Sequence, residues 1–202
     1  MIVKICGITN LEDALAAVEA GASALGFNFY PRSPRYIAPE AAGRLIQSLP
    51  GEVWKVGVFV NEPPERVAEL ARQAGLDVVQ LHGDEPPEAV PAGLRVWKAF
   101  RVGREFDASR LASYAVEACL LDAAEPGWFG GSGRVFDWSA LPRLNVRIVV
   151  AGGLDASNVG TAVRTLRPWG VDACSRLESA PGKKDRHKMA AFIQAAREAE
   201  AA

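Results

Sequence analysis

Ile2-Val3-Lys4-Ile5-Cys6-Gly7-Ile8-Thr9-Asn10-Leu11-Glu12 passes from an apolar run through a turn into the start of an amphipathic segment. A strand followed at once by a helix is one βα unit. Thr9 with Glu12 three positions on makes a capping box that predicts a helix start at this point, and Gly21 predicts its end. An open, doubly wound sheet that binds dinucleotides would carry G-x-G-x-x-G at this first turn, and Cys6-Gly7-Ile8-Thr9 does not.

The same unit recurs outward from that opening. Apolar runs at Ile2–Cys6, Ala24–Phe29, Val53–Val60, Asp77–Leu81, Arg95–Phe100, Ala118–Asp122, Arg147–Ala151 and Val171–Cys174 predict strands, mostly without the inside–outside alternation of a half-exposed sheet. Helical patterns fall between them at Leu11–Ala20, Pro39–Ser48, Pro64–Ala74, Ala108–Tyr114, Trp138–Leu144, Asn158–Leu166 and Lys184–Ala199, while the stretch after His82 is short or irregular. Eight such units predict an α/β fold, a single (β/α)8 (TIM) barrel spanning residues 1–202. The tail Glu198–Ala202 reads as frayed.

The 202 residues carry a net charge of −1 and are 49% hydrophobic, the balance of an ordinary globule with no bulk attraction to nucleic acid. The N-terminus lacks the apolar core of a signal peptide, and no run approaches the ~20 residues that span a bilayer. These readings predict a cytoplasmic protein with neither a nucleic-acid nor a membrane partner. Cys6, Cys119 and Cys174 lie far apart without C-x-x-C pairing, which argues against a disulfide framework or a structural zinc site.

In such a barrel the chemistry belongs to the carboxyl ends of the strands. Read in order, those ends supply Cys6, Arg32 and Arg35, Asn61, Gln80 with His82, Lys98, Asp122, Gly152-Gly153 and Ser175. Cys6 reads either as a base, with a helix N-terminus favouring its thiolate, or as a small buried hydrophobe. Cys119 and Cys174 read as strand core. Asp122 ends the run Cys119-Leu120-Leu121, where desolvation favours a protonated acid able to donate near neutral pH; the alternative is a turn cap. A thiolate and a carboxylic acid on one rim would make an acid–base pair without a metal or cofactor.

The prolines of Tyr30-Pro31-Arg32-Ser33-Pro34-Arg35 stiffen a loop able to hold a guanidinium against a carboxylate. Gly152, Gly153 and the Ser175 region occupy the seventh and eighth loops, where barrels commonly hold phosphate. Gly130–Gly133 reads as a lid or as a plain linker. His82 reads as a hydrogen-bond partner for a substrate or a neighbour, Lys98 as a partner for an acidic rim residue, and Asp137 as a cap for the segment at Trp138. The other histidine, His187, lies near the C-terminus, which disfavours a His-based metal centre.

Taken together, KICGIT (Lys4–Thr9), GFNFYPRSPRY (Gly26–Tyr36), GVFVN (Gly57–Asn61), QLHGDE (Gln80–Glu85), Leu120–Asp122 followed by Gly130–Gly133 and Phe136-Asp137-Trp138, AGGL (Ala151–Leu154) and PGKKD (Pro181–Asp185) resemble the phosphoribosylanthranilate isomerase family. The resemblance implies a (β/α)8 enzyme of tryptophan biosynthesis that performs an Amadori rearrangement of a small phosphorylated substrate, with no cofactor. It implies Cys6 as general base and Asp122 as general acid, and Arg35 on the anthranilate carboxylate. Gln80, His82, Gly152, Gly153, Ser175 and Arg176 complete the expected substrate contacts, and the implied assembly is a monomer or homodimer. One departure stands out: where the family usually reads Ser-Ser-Gly-Val-Glu, this chain reads Cys174-Ser175-Arg176-Leu177-Glu178. If the glycine position needs a positive φ, Arg176 costs on the order of 1 kcal/mol there; otherwise it offers the phosphate a charged contact. The competing readings are a related sugar-phosphate isomerase or synthase, and a catalytically silent phosphate-binding barrel.

Overall fold

Apolar and β-branched residues dominate the runs that become β1 (Ile2–Ile5), β2 (Ala24–Asn28), β3 (Trp54–Phe59), β4 (Val78–Leu81), β5 (Val96–Val102), β6 (Ala118–Ala123), β7 (Ile148–Val150) and β8 (Gly170–Ala173). Each pairs in parallel with the next, and β8 returns to β1, so that no sheet edge is left. The computed structural model describes residues 1–103, 106–123 and 135–202. The lid candidate Gly130–Gly133 lies outside the described residues.

Every predicted strand is present. The helices depart more from expectation. α1 (Leu11–Glu19), α2 (Pro39–Ile46), α3 (Pro64–Ala74), α4 (Val159–Leu166) and α5 (Arg186–Ala201) follow the predicted pattern, but Ala108–Ser113 and Trp138–Ala140 are 3-10 turns. Asp107 and Asp137 cap the two turns in the same way. Each carboxylate takes the backbone N–H and the hydroxyl of the serine two residues on, at 2.6–3.0 Å, which tightens the chain locally. Pro142 then bars the second segment from continuing.

The first cap also differs. Thr9 is not the N-cap of α1, because its hydroxyl donates to the Gly182 carbonyl at 2.5 Å. Asn10 caps instead: its Oδ1 accepts from Asp13 N at 2.8 Å, and its amide donates to Asp13 Oδ2 at 2.8 Å. That same Asp13 oxygen accepts from Lys184 N at 2.8 Å, tying the start of α1 to the hairpin β9 (Glu178–Ala180) and β10 (Lys183–Lys184). The C-terminal tail is not frayed. α5 runs to Ala201, and Glu200 pairs with both the N-terminal ammonium and Arg197.

Two apolar layers result. The larger lies between the strands and the helices; the smaller fills the barrel itself, with Val56, Val78, Leu120 and Val149 among its members. Trp54, Trp97 and Trp169 close the amino-terminal end, their ring centroids 5.6–6.2 Å apart. The Arg95 guanidinium lies 4.1 Å over Trp54.

Above this apolar floor the barrel interior becomes ionic. Strand alternation turns Lys4 of β1 and Asp172 of β8 inward at paired positions, and their side chains meet at 3.0 Å. Burial pushes the Asp172 carboxyl up to about 6 in spite of Lys4. Burial also works against the Lys4 ammonium, but Asp172 and Cys6 beside it raise its affinity for the proton above the usual lysine range.

Removing one partner of such a pair strands the other in a dry interior. Asp172→Ala is expected to lower unfolding stability by about 3–5 kcal/mol, measured by urea denaturation at neutral pH. A loss below the ~1 kcal/mol of a surface pair would show that the barrel interior is wetter than this geometry implies.

Candidate active site

The same alternation that buries Lys4 and Asp172 carries the next inward residues, Cys6 and Cys174, up to the mouth. There they line a cleft of about 600 Å³ together with Asn28, Arg35, Gln80, His82, Asp122, Gly152, Gly153, Ser175 and Arg176. All nine expected site residues therefore border one space. Cys6 is buried except for 8% of its surface.

Cys6 owes its state to neighbours that sequence did not reveal. Cys174, Lys4 and Lys184 stand by its sulfur, and together they hold the Cys6 thiol well below the ordinary thiol range against the cost of burial. Cys174 moves the opposite way, well above that range, because the Cys6 sulfur beside it favours its protonated form and because it too is desolvated. So Cys174 is a rim residue and not strand core. Cys119 is core, sealed at 1% exposure and pushed up to about 11 by burial.

Across the cleft, Asp122 is buried at the end of β6. Its Oδ1 accepts from Ala123 N at 2.8 Å and its Oδ2 lies 3.3 Å from His82 Nε2. Gly152, with φ of +82°, is required beside it: a Cβ there would sit 2.6 Å from Ala123 N and 2.8 Å from Asp122 Oδ1. Gln80 approaches His82 from behind, its Nε2 2.8 Å from Nδ1, while its Oε1 is buried with no partner among the described residues. An amide N–H donating to Nδ1 leaves the proton of a neutral imidazole on Nε2, facing Asp122.

Arg35 is gripped by Glu178 through Nε and Nη2, both at 2.8 Å. Lys184 reaches the same carboxylate at 3.1 Å. Burial opposes charge on Glu178, but Arg35 and Lys184 together hold it below the usual carboxylate range. Two cations share one anion, so this wall of the cleft keeps a positive excess suited to a carboxylate ligand.

Gly153, with φ of +60°, and the turn Ser175–Leu177 bring backbone to the opposite side. Arg176 has no positive φ, so the strain anticipated for replacing the family glycine does not arise. Its guanidinium pairs with Asp155 at 2.8 Å on the border of the cleft. Lys98 finds its acidic partner in Glu85 at 3.1 Å, and Asn61, with φ of +55°, donates its N–H to the same carboxylate. Both serve the neighbouring loop framework. Among the described residues no group of three or more His, Cys, Asp or Glu is placed to hold a metal ion, and no helix is long and apolar enough to cross a membrane.

Comparison with known proteins gives the arrangement a context. Residues 3–195 match the family model described as N-(5'phosphoribosyl)anthranilate (PRA) isomerase. The N-(5'-phosphoribosyl)anthranilate isomerase of Solibacter usitatus is 54% identical over 199 residues, covering 98% of each chain. Among solved structures, phosphoribosyl anthranilate isomerase from Thermotoga maritima superposes with a TM-score of 0.91 at 46% identity, covering 98% of this chain and all 100% of that one. A second, at 44% identity and a TM-score of 0.87 with the same coverage, is a phosphoribosyl anthranilate isomerase in complex with reduced 1-(o-carboxyphenylamino)-1-deoxyribulose 5-phosphate.

The cluster around Cys6 makes a direct demand on reactivity. Alkylation of Cys6 by iodoacetamide is expected to be rapid at neutral pH, with a rate–pH midpoint well below the ~8.5 of a free thiol. Cys119 stays unlabelled until the chain unfolds. Peptide mapping after timed quenching reads both, and a Cys6 midpoint at or above the free-thiol value would contradict the cluster's effect.

Proposed function

The chain belongs to the N-(5'-phosphoribosyl)anthranilate isomerase family and is an isomerase of tryptophan biosynthesis, and on that footing we propose how its residues divide the reaction. Cys6 is the general base and Asp122 the general acid. The observation that carries this assignment is their placement in one cleft: the sulfur sits among cations, and the carboxyl is held by an imidazole and a backbone N–H.

The reaction then proceeds by proton transfers. Asp122 gives its proton to the furanose ring oxygen as the C1′–O bond breaks, leaving a protonated Schiff base at C1′. The Cys6 thiolate removes the C2′ proton, and the released electron pair forms the C1′=C2′ bond and neutralises the nitrogen. Tautomerisation of this enolamine, with a proton gained at C1′ and one lost from the C2′ hydroxyl, gives the aminoketose.

His82 tracks the proton on Asp122. With the Gln80 amide donating to Nδ1, the imidazole offers Nε2–H to an ionised Asp122. Turned end for end, the amide would give its orphaned Oε1 an Nδ1–H partner and leave Nε2 as an acceptor, the arrangement a protonated Asp122 needs. Each setting of this chain satisfies one protonation state of the acid.

The ends of the substrate are held apart from the chemistry. Arg35, fixed by Glu178, takes the anthranilate carboxylate on its remaining Nη1. Gly153, Ser175 and Arg176 take the phosphate, so that binding at both ends orients C1′ and C2′ between the sulfur and the carboxyl. We assign the activity to one barrel of residues 1–202 acting in the cytoplasm as a monomer or homodimer.

Cys6→Ala and Asp122→Asn are each expected to lower kcat by about 10²–10⁴-fold while the fold persists. Loss of fluorescence from freshly generated phosphoribosylanthranilate measures the rate, and near-normal turnover by either variant would remove that residue from its role. Arg176→Gly is expected to raise KM by about tenfold, the worth of one charged hydrogen bond, with kcat nearly kept. An unchanged KM would take Arg176 out of the phosphate site.

A further inference from the structure

Cys174 has no part in the proton transfers, yet it stands directly against the base. Ile5 and Ala173 are partners in the β1–β8 register, and Cys6 N donates to Ala173 O at 2.9 Å. Cys6 and Cys174 directly follow the two strands. Neighbouring strands run ~4.8 Å apart, within the ~4.4–6.8 Å between Cα atoms that a disulfide spans. Both side chains border the open cleft. Lys184 Nζ lies 3.7 Å from the Cys174 sulfur.

We propose that Cys6 and Cys174 form an oxidation site, in which a hydroperoxide oxidises the Cys6 sulfur and Cys174 then closes a disulfide across the β1–β8 seam. In the first step the Cys6 thiolate attacks the peroxide, the O–O bond breaks, and a sulfenic acid and an alkoxide or hydroxide result. In the second, the Cys174 sulfur attacks the sulfenic sulfur, the S–O bond breaks, and water departs with the Cys174 proton. Two electrons pass from the cysteine pair to the peroxide.

The neighbours favour both steps. Before oxidation, Lys4 and Lys184 support a negative sulfur on Cys6. Once Cys6 is a neutral sulfenic acid, the charge that kept Cys174 protonated is gone, and Lys184 remains to stabilise the attacking Cys174 thiolate. A thiol donor reverses the disulfide by exchange. The third cysteine takes no part, because Cys119 is sealed in the outer apolar layer.

Loss of activity on oxidation rests on Cys6 being the base; formation of the disulfide does not. Treating the purified enzyme with hydrogen peroxide, blocking free thiols and mapping unreduced peptides should give a Cys6–Cys174 crosslink lighter by two hydrogens. Activity should fall in step and return to most of its starting value with dithiothreitol. Cys174→Ser, scored against its own untreated rate, should be inactivated without recovery as Cys6 gains two oxygens. Sulfinic Cys6 without a crosslink in the parent enzyme, a crosslink to Cys119, or equal recovery by parent and Cys174→Ser would overturn the proposal. A mapped Cys6–Cys174 crosslink with full activity would uphold the oxidation site and overturn the base assignment. If Cys174→Ser fails to fold, the parent enzyme's peptide map decides alone.

Discussion

The ion pair of Lys4 with Asp172 sits where β1 meets β8, at the seam that turns a sheet into a barrel. Its partners are 168 residues apart in sequence, so the pair exists only once the ring has closed. Two consequences follow from that position. Closure is specified by a buried charge whose ion-pair partner stands on the far strand, and the ammonium thus fixed lies under Cys6. The contact that registers the last strand against the first also supports the thiolate at the mouth.

A second tier of charge rises from the first. Lys184, wholly buried on the hairpin, reaches the Cys174 sulfur and carbonyl and the Glu178 carboxylate, and Glu178 in turn grips Arg35. Cys6, Arg35 and the loop after β8 therefore belong to one polar network. Asp13 connects that network to α1 through the Lys184 backbone N–H.

What sequence revealed follows from what each residue needs. The strands were legible because a parallel strand covered on both faces must be apolar along its length. Arg35, His82, Asp122 and the glycine pair were legible because they stand at strand ends or in loops, where a polar residue has no packing reason to be. Lys4, Asp172, Glu178 and Lys184 escaped because each is a charge inside or beside a short strand, and its partner is distant in sequence. Cys174 escaped for a related reason: a small residue at the end of an apolar strand looks like filling unless the facing residue on the other edge is known. The first helix starts at Leu11 as expected but is capped by Asn10, because Gly182, on a hairpin at the far end of the chain, draws off the Thr9 hydroxyl that local rules would spend on the cap.

Trp54, Trp97 and Trp169 pack together at the end of the barrel opposite the mouth. Cys6 and Asp122 border one cleft, so a molecule seated between them must depart before the next can take its place. Departure of one molecule and arrival of the next are thus consecutive events, and the vacated interval is when solvent regains the sulfur.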